Sequence, residues 1–241
     1  MRECRLRPRV ALCHREELDP GPSGDWTQLN DDDFRALASR LSDEADEGPL
    51  RVFAYGSLIW KPALESIEQR RASAYGWHRS FCLDMVRWRG SAAQPGLMML
   101  ERGGFVTASS IVCRTARSPP RSRDCCGEKS TIMKASARSG GFRYARRKDR
   151  CEALGFWIGV TGRGTSLRQP LERVAKTLAH ACGHVGSGAE YLYYTVSHLE
   201  TFGIHDRNLW RLQELVADEI RSIHPSRIES TEPTDIGVAI I

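Results

Sequence analysis

A short apolar run breaks into a glycine–serine turn at residues 51–60. Aromatic and β-branched residues dominate Arg51–Tyr55, which predicts a buried strand. Gly56 and Ser57 follow at once, and a sharp turn is expected because glycine adopts positive φ without a steric cost. Successive backbone N–H groups at such a turn can bind a carboxylate, or an oxygen on which negative charge develops. The alternative is a plain corner between a strand and a loop.

Other groups of chemically capable residues are weaker candidates. His180 and His184 have the i,i+4 spacing of two ligands on one helix, with Cys182 between them. The glycines from 183 to 188 predict that the helix ends before this geometry forms, so no metal site is expected. The glycine-containing segment 162–166 lacks the lysine and the spacing of a phosphate-binding loop. Ser57 lacks the Gly-x-Ser-x-Gly context of a hydrolytic nucleophile.

The elements that must position this turn are strands followed by helices. Further strands are predicted at 77–86, 96–100 and 153–160. Three helices are predicted in the last third: one whose first turn holds Pro170, one at about 189–202, and one that starts near Asp206. Each helix carries an apolar stripe. An earlier short helix is predicted with Asp31 as its cap.

Composition narrows the class of protein. A chain of 241 residues suits one well-buried domain, and it has no apolar run long enough to span a membrane. The N-terminus lacks the apolar core of a secretory signal. Eight cysteines without a Cys-x-x-Cys pair indicate reduced thiols rather than a disulfide framework or a structural zinc site. A cytoplasmic protein is therefore expected.

Several further blocks occur in a fixed order, and together with the turn they carry a resemblance. They are Gly76-Trp77-His78-Arg79-Ser80-Phe81-Cys82, Pro95-Gly96-Leu97-Met98, Glu101-Arg102-Gly103-Gly104, Ala181-Cys182-Gly183-His184, Ala189-Glu190-Tyr191-Leu192 and Gly203-Ile204-His205-Asp206. In this order they resemble the ChaC family of γ-glutamylcyclotransferases. The resemblance covers roughly residues 50–104 and 153–222.

The resemblance implies an α+β fold with a small closed β-barrel and surrounding helices. It implies cleavage of glutathione to 5-oxoproline and cysteinylglycine without a metal or organic cofactor. Separately, no nucleic-acid or membrane partner is expected, because the net positive charge is confined to one segment and no apolar run is long enough to span a membrane. It places the γ-glutamyl part of the substrate on Tyr55, Gly56, Ser57 and Leu58, with backbone N–H groups of Gly56 to Leu58 as donors. Tyr191 is expected to reach the same pocket from its helix, with a structural tyrosine as the alternative.

The segment 105–152 departs from the family pattern. It holds 12 Lys and Arg against 4 Asp and Glu, few apolar residues and no clear period. The family's catalytic glutamate, in a Leu-x-Arg-Arg-Glu context, is unmatched, and Glu128 is the nearest carboxylate. A frameshift would explain this, since codons for Cys125 to Thr131 read one base earlier permit Leu-Leu-Arg-Arg-Glu-Ile-Asp. When the codons for residues 108–115 are read with the same one-base displacement, they permit a strand-like sequence.

Two rival functions remain open. One is an inactive module that binds γ-glutamyl compounds, motivated by the unmatched glutamate. The other makes the basic segment a nucleic-acid-binding insertion with salt-sensitive affinity, against which its few aromatic residues count. The expected organisation is a partly disordered extension at 1–48, a ChaC-like domain at 49–224 and a tail at 225–241.

Overall fold

A computed structural model describes most of the chain outside the basic segment. The described residues are 5–21, 30–33, 36, 39, 51–62, 66–113, 137–145, 150–158 and 169–225. The strands are β1 Arg51–Ala54, β2 Ser66–Met85, β3 Gly96–Cys113, β4 Ala137–Ala145, β5 Arg150–Ile158, β6 Cys182–Gly183 and β7 Gly186–Ser187. The helices are α1 Leu171–His180, α2 Gly188–Thr201 and α3 Arg207–Ile223, and two 3-10 helices span Arg7–Cys13 and Ser57–Ile59.

The large sheet has the strand order β1-β3-β2-β4-β5. β1 runs antiparallel to β3, from Arg51 opposite Val112 to Ala54 opposite Ser109. β2 and β3 form a long antiparallel hairpin, and so do β4 and β5. Two single residue pairs complete the connections, Ser73 with Ala145 and Val52 with Leu154. The strands precede and support the helices, which confirms the predicted α+β class.

An irregularity in the β2–β3 pairing separates two halves of β2. Ala72 and Ala74 are buried, whereas Tyr75 is 68% exposed, so even-numbered residues face the core in the first half. The register shifts between Tyr75 and Trp77, where two residues of β3, 103 and 104, lie opposite Gly76, which has φ +79°. The extra residue of this bulge is therefore in β3, and β2 departs from the extended conformation at Gly76. Beyond it Arg79, Phe81 and Cys82 have buried side chains, so the alternation of the first half does not continue.

The three helices cover the sheet with the apolar stripes that the sequence predicts. Their stripes are buried at positions including Val174, Leu178, Leu192, Val196, Leu199, Leu209, Leu212, Val216 and Ile220. Ser187 caps α2 by accepting from the Glu190 amide, and Asp206 caps α3 by accepting from the amides of Asn208 and Leu209. Gly203, at φ +66°, follows the end of α2 as predicted.

The strand boundaries were predicted too short. β2 begins at Ser66 rather than 77, and β3 runs on to Cys113 rather than ending at 100. The pattern was also wrongly expected to fail from Phe105 onward, because residues 105–113 and 137–145 are strands. Their pairing with β2 and β5 satisfies the backbone whatever the side chains are, and this overrides a weak local signal.

The N-terminal strap, residues 5–21, packs on this domain instead of lying loose. Leu6 is 0% exposed and Cys13 is 2% exposed, and both belong to the main core. The disorder expected in part of the extension 1–48 is therefore not found at residues 5–21. Two apolar anchors outweigh a polar average composition, since each buried side chain of this size contributes about 1.5–3 kcal/mol.

Two smaller observations complete the fold. The short helix before the domain is capped by Asn30, whose side chain accepts from the amides of Asp32 and Asp33, and not by Asp31. The apolar residues predicted for that helix lie outside the described part of the chain. No helix among the described residues is both long enough and apolar enough to cross a membrane.

Candidate active site

The site loop, Tyr55–Trp60, forms the turn at the carboxyl end of β1. Ile59 donates its backbone N–H to the Gly56 carbonyl at 2.9 Å, and Trp60 donates to Ser57 at 3.1 Å. These bonds make the single turn of 3-10 helix. Gly56 has φ −140°, so the positive φ expected of this glycine was wrong. The chain reverses through the 3-10 turn rather than through a left-handed residue.

Tyr191 meets this loop from α2. The Ser57 backbone N–H donates to the Tyr191 hydroxyl oxygen at 2.9 Å, across 134 residues of sequence. Tyr191 is 5% exposed and packs edge-on against Trp60 and Phe81, at ring-centroid distances of 5.7 and 6.3 Å. The structure therefore brings together the two parts of the predicted substrate pocket, and the Ser57 amide is already engaged within the protein.

The Tyr191 hydroxyl is set up as a proton-bearing donor. Burial raises the pKa of this phenol, so the hydroxyl is neutral near pH 7. It accepts from Ser57 and also interacts with the Thr195 side chain, whose hydroxyl accepts from the Trp60 indole at 3.3 Å. A hydroxyl that accepts hydrogen bonds is polarised towards donating its own proton. Such a donor can stabilise an oxyanion or orient a carboxylate.

Arg89 lies over the outer side of the same aromatic pair. Its guanidinium carbon is 5.4 Å from the Trp60 ring centroid and 5.5 Å from that of Tyr191. It also donates to Glu190 at 2.6 Å and to the Ser187 carbonyl at 2.9 Å. Sequence reasoning missed Arg89, because nothing in the local pattern shows that the turn after β2 meets the start of α2.

Arg79 holds the inner side of the site loop. Its Nε donates to the Tyr55 carbonyl at 2.7 Å, its Nη1 donates to Asp206 Oδ2 at 2.7 Å, and its Nη2 donates to the Thr107 carbonyl. The side chain is 7% exposed. Burial lowers the pKa of this guanidinium, and the Asp206 carboxylate opposes that effect. The sequence indicates Arg79 only as part of the family-like block 76–82, and its inward direction follows the register shift at Gly76.

The remaining predicted site residues divide into three groups. Tyr55 and Leu58 are 3% and 8% exposed and lie in the core, so what they present to the site is mainly backbone. Ser57 is half-buried at the surface of the loop. Glu128 lies outside the described residues. The roles of all five predicted contacts and of Glu128 stay predictions.

The possible metal pair on one helix does not form. α1 ends at His180, and Cys182 begins a strand, as the glycine run predicted. The His180 ring bonds the Lys176 carbonyl at 2.8 Å. Within the described ranges, no group of three or more His, Cys, Asp or Glu side chains converges as metal ligands would. Residues 162–166 lie outside those ranges.

Comparison with solved structures places the fold. Two crystal structures of the yeast γ-glutamylcyclotransferase specific to glutathione match with TM-scores of 0.59 and 0.60, each at 15% identity. The first covers 71% of this chain and 99% of the yeast chain, and the second covers 70% and 96%. At this identity the match establishes a shared α+β fold, a sheet covered by helices.

Comparison of sequences places the family. The model of ChaC-like proteins matches residues 50–109. A glutathione-specific γ-glutamylcyclotransferase of Escherichia coli strain K12 is 49% identical over 73 residues, which are 30% of this chain. This match spans about a third, 32%, of the length of that curated relative. The resemblance to the ChaC-like family is thus confirmed over the segment that holds β1, the site loop, β2 and most of β3.

Proposed function

We propose that this chain is a γ-glutamylcyclotransferase that acts on glutathione. Glutathione is cyclised to 5-oxoproline, and cysteinylglycine leaves. The observation that carries the proposal is the assembled site loop, whose Tyr55 carbonyl and Ser57 amide are held by Arg79 and Tyr191. This loop lies inside the segment that matches ChaC-like proteins, and the relative with 49% identity is named for this reaction.

The reaction is intramolecular. The α-amine of the γ-glutamyl unit attacks its own γ-carbonyl carbon, a new C–N bond closes a five-membered lactam, and the bond to the cysteine nitrogen breaks. The attacking ammonium loses two protons as it becomes the lactam N–H: one reaches the departing nitrogen, and the other goes to solvent or completes the ammonium group of the product. A single carboxylate within hydrogen-bond reach can accept a proton from the attacking nitrogen and deliver it to the departing one. Because attacker and target share one molecule, orientation supplies much of the acceleration.

The described residues suit the binding and oxyanion parts of this chemistry. The Tyr191 hydroxyl keeps its proton and faces the Ser57 amide, so it is placed to donate to an oxygen held at the loop. The remaining loop amides of Gly56 and Leu58 are the nearest backbone donors. Arg89, held by Glu190 over the aromatic pair, adds positive charge beside an anionic substrate.

The rest of the predicted organisation belongs to the same proposal. The strand order returns from β5 to β1, which supports a small closed barrel within a domain at 49–224, between the extension at 1–48 and the tail at 225–241. Cys13 and Cys182 are buried free thiols, which supports a reducing, cytoplasmic location. Glutathione is the small-molecule partner, and no cofactor is required by the reaction.

Glu128 and the reading frame are the parts of the proposal that decide activity. We infer that the family's glutamate is encoded one base out of frame, overlapping the Lys129 codon, so that Glu128 is a poor substitute for it. The inference depends on two windows, 108–115 and 125–131, that both become family-like after a one-base displacement. It predicts compensating insertions or deletions near codons 104 and 150, and a verified gene with an undisturbed frame would refute it.

The test is mass-spectrometric detection of 5-oxoproline from glutathione. Four proteins are compared: the chain as written, its Glu128→Gln variant, the matched control Lys129→Gln, and a frame-restored chain. Activity in the restored chain alone supports both the function and the frame inference. Activity in the chain as written that E128Q abolishes assigns the proton transfers to Glu128. No product from any of them, with all folded, would overturn the function.

A further inference from the structure

We propose that Arg79 is a positioning residue for the cyclisation site. In this proposal it fixes the site loop to the N-terminus of α3 through Asp206. It deepens the proposed function and rests on it for its kinetic part only. The guanidinium has contacts on three different elements: the end of β1, the middle of β3 and the cap of α3.

The contact with Tyr55 places Arg79 directly under the reacting region. Tyr55 immediately precedes Gly56, and its carbonyl accepts from Arg79 Nε at 2.7 Å. The next donor–acceptor pair along the chain joins the Ser57 amide to Tyr191 at 2.9 Å. The loop is therefore pinned at two backbone positions two residues apart, by two buried side chains from different elements. A displacement of Tyr55 must move the amides of Gly56 to Leu58.

Asp206 orients the Arg79 guanidinium. Its Oδ1 accepts from the amides of Asn208 and Leu209, and its Oδ2 accepts from Arg79 at 2.7 Å. One carboxylate oxygen thus caps the helix, and the other binds the arginine. Because the helix N-terminus and the arginine are both electropositive, the carboxylate is stabilised from two sides. The plane of the guanidinium is fixed by an element that the core anchors.

A lysine cannot reproduce this geometry. Arginine presents five donors in a rigid planar fork, whereas the ammonium of lysine is a single point on a flexible stem. One ammonium cannot meet acceptors on three elements at the separations that the fork spans. Arg79→Lys therefore keeps the charge and the partner of Asp206 and loses the fixed Tyr55 carbonyl. It is a milder test of position than removal of the charge.

The experiment uses the full chain, in whichever reading is active with glutathione. Arg79→Lys is compared with Arg71→Lys, which makes the same change on the same strand at an exposed arginine bound to the Gly203 carbonyl. R79K is expected to lower kcat/KM about 100-fold, the scale of a displacement of about 1 Å in a reacting geometry. R71K is expected to leave it within about twofold.

Amide hydrogen exchange gives the second readout, which does not depend on activity. R79K is expected to speed exchange at Gly56–Lys61 while the core amides of α3 stay protected. Asp206→Asn keeps an oxygen for the helix cap, removes the charge that faces Arg79, and should produce the same local pattern more weakly. D206N also serves if R79K does not fold.

The outcomes separate the two proposals. Uniform loss of protection in R79K and D206N, with unchanged turnover per folded molecule, would mean that Arg79 only stabilises the fold, and this would overturn the inference. A local change in exchange without 5-oxoproline from any parent chain would keep the positioning role and reject the proposed function. A kcat/KM lowered equally by R71K would also count against the inference.

Discussion

The site loop and the N-terminal strap are each held by an arginine–aspartate pair, and the two pairs act differently. Arg79 and Asp206 are 7% and 22% exposed, at 2.7 Å, and each has further bonds to backbone in other elements. Arg87 and Asp19 form a two-pronged pair at 2.6 Å but are 21% and 42% exposed. The same two residue types thus form a buried, multiply bonded ion pair in one region, the hub Arg79–Asp206, and an ion pair weakened by solvent screening in the other, Arg87–Asp19.

Removing the charge at the hub should have the largest effect. Arg79→Met removes one donor from each of two carbonyls and from Asp206 Oδ2, and the free energy of unfolding is expected to fall by about 3 kcal/mol. Urea unfolding followed by circular dichroism measures it. Arg87→Met is the matched change at the pair that holds the strap and should shift the midpoint far less. Equal shifts for the two variants would show that the two ion pairs contribute equally to stability.

The left-handed residue Gly76, three positions before Arg79 in β2, gives the next effect. Gly76→Ala forces a side chain into φ +79° and should cost about 1–2 kcal/mol. Gly203→Ala, at φ +66°, carries a similar strain outside β2. Both should lower the midpoint of thermal unfolding by similar amounts. G76A alone should also reduce 5-oxoproline formation, and equal activity in the two variants would show that the conformation at Gly76 does not affect the site.

The hydrogen bond between the Ser57 amide and Tyr191 is expected to contribute less to stability than the contacts of Arg79. Tyr191→Phe removes the acceptor of the Ser57 amide and should cost about 1 kcal/mol, the usual contribution of one hydrogen bond. It should also lower kcat, because the donor at the loop is lost. Tyr194→Phe, on the same helix and 37% exposed, is the control. Amide exchange at Ser57 that is equally slow in both variants would contradict the assigned bond.

The strap should show the smallest effect, and one that depends on pH. Hydrogen bonding from Arg87 lowers the pKa of Asp19 to about 2 from 3.8. A carboxyl whose pKa is lower in the folded state contributes stability above pH 4, and that contribution is lost as the pH falls towards 2. The Asp19 carboxyl carbon, followed by NMR, should titrate near pH 2. In R87M it should titrate at about pH 4. The same midpoint in both proteins would show that Arg87 does not bind Asp19.

The sequence predicts well the features that depend on local pattern. The stripe of Leu192, Val196 and Leu199 identifies α2, and Gly203 marks its end, because helical period and cap chemistry act over a few residues. The run Val52–Ala54 identifies a strand buried on both faces. The prediction for Gly56 was wrong because it used the residue type alone. The φ of Gly56 is determined by the 3-10 turn that follows.

The features that depend on register could not be predicted. Arg79 lies beyond the register shift at Gly76, where the alternation of buried and exposed residues in β2 breaks, and no local pattern predicts where such a shift falls. Arg89 and Glu190 meet only because a hairpin turn packs against the start of α2, 101 residues further along. The burial of Leu6 and Cys13 likewise depends on surfaces formed by later parts of the chain.

The two holds on the site loop also differ in when they become available during synthesis. The partner of the Tyr55 carbonyl lies 24 residues downstream, whereas the Ser57 amide waits for Tyr191, 134 residues downstream. At about 5–20 residues per second, that interval is on the order of ten seconds. Asp206 emerges later still, 127 residues after the arginine that it orients. During synthesis the loop therefore has only one of its two partners until the last third of the chain is made, and its geometry is among the last features of the domain to be completed.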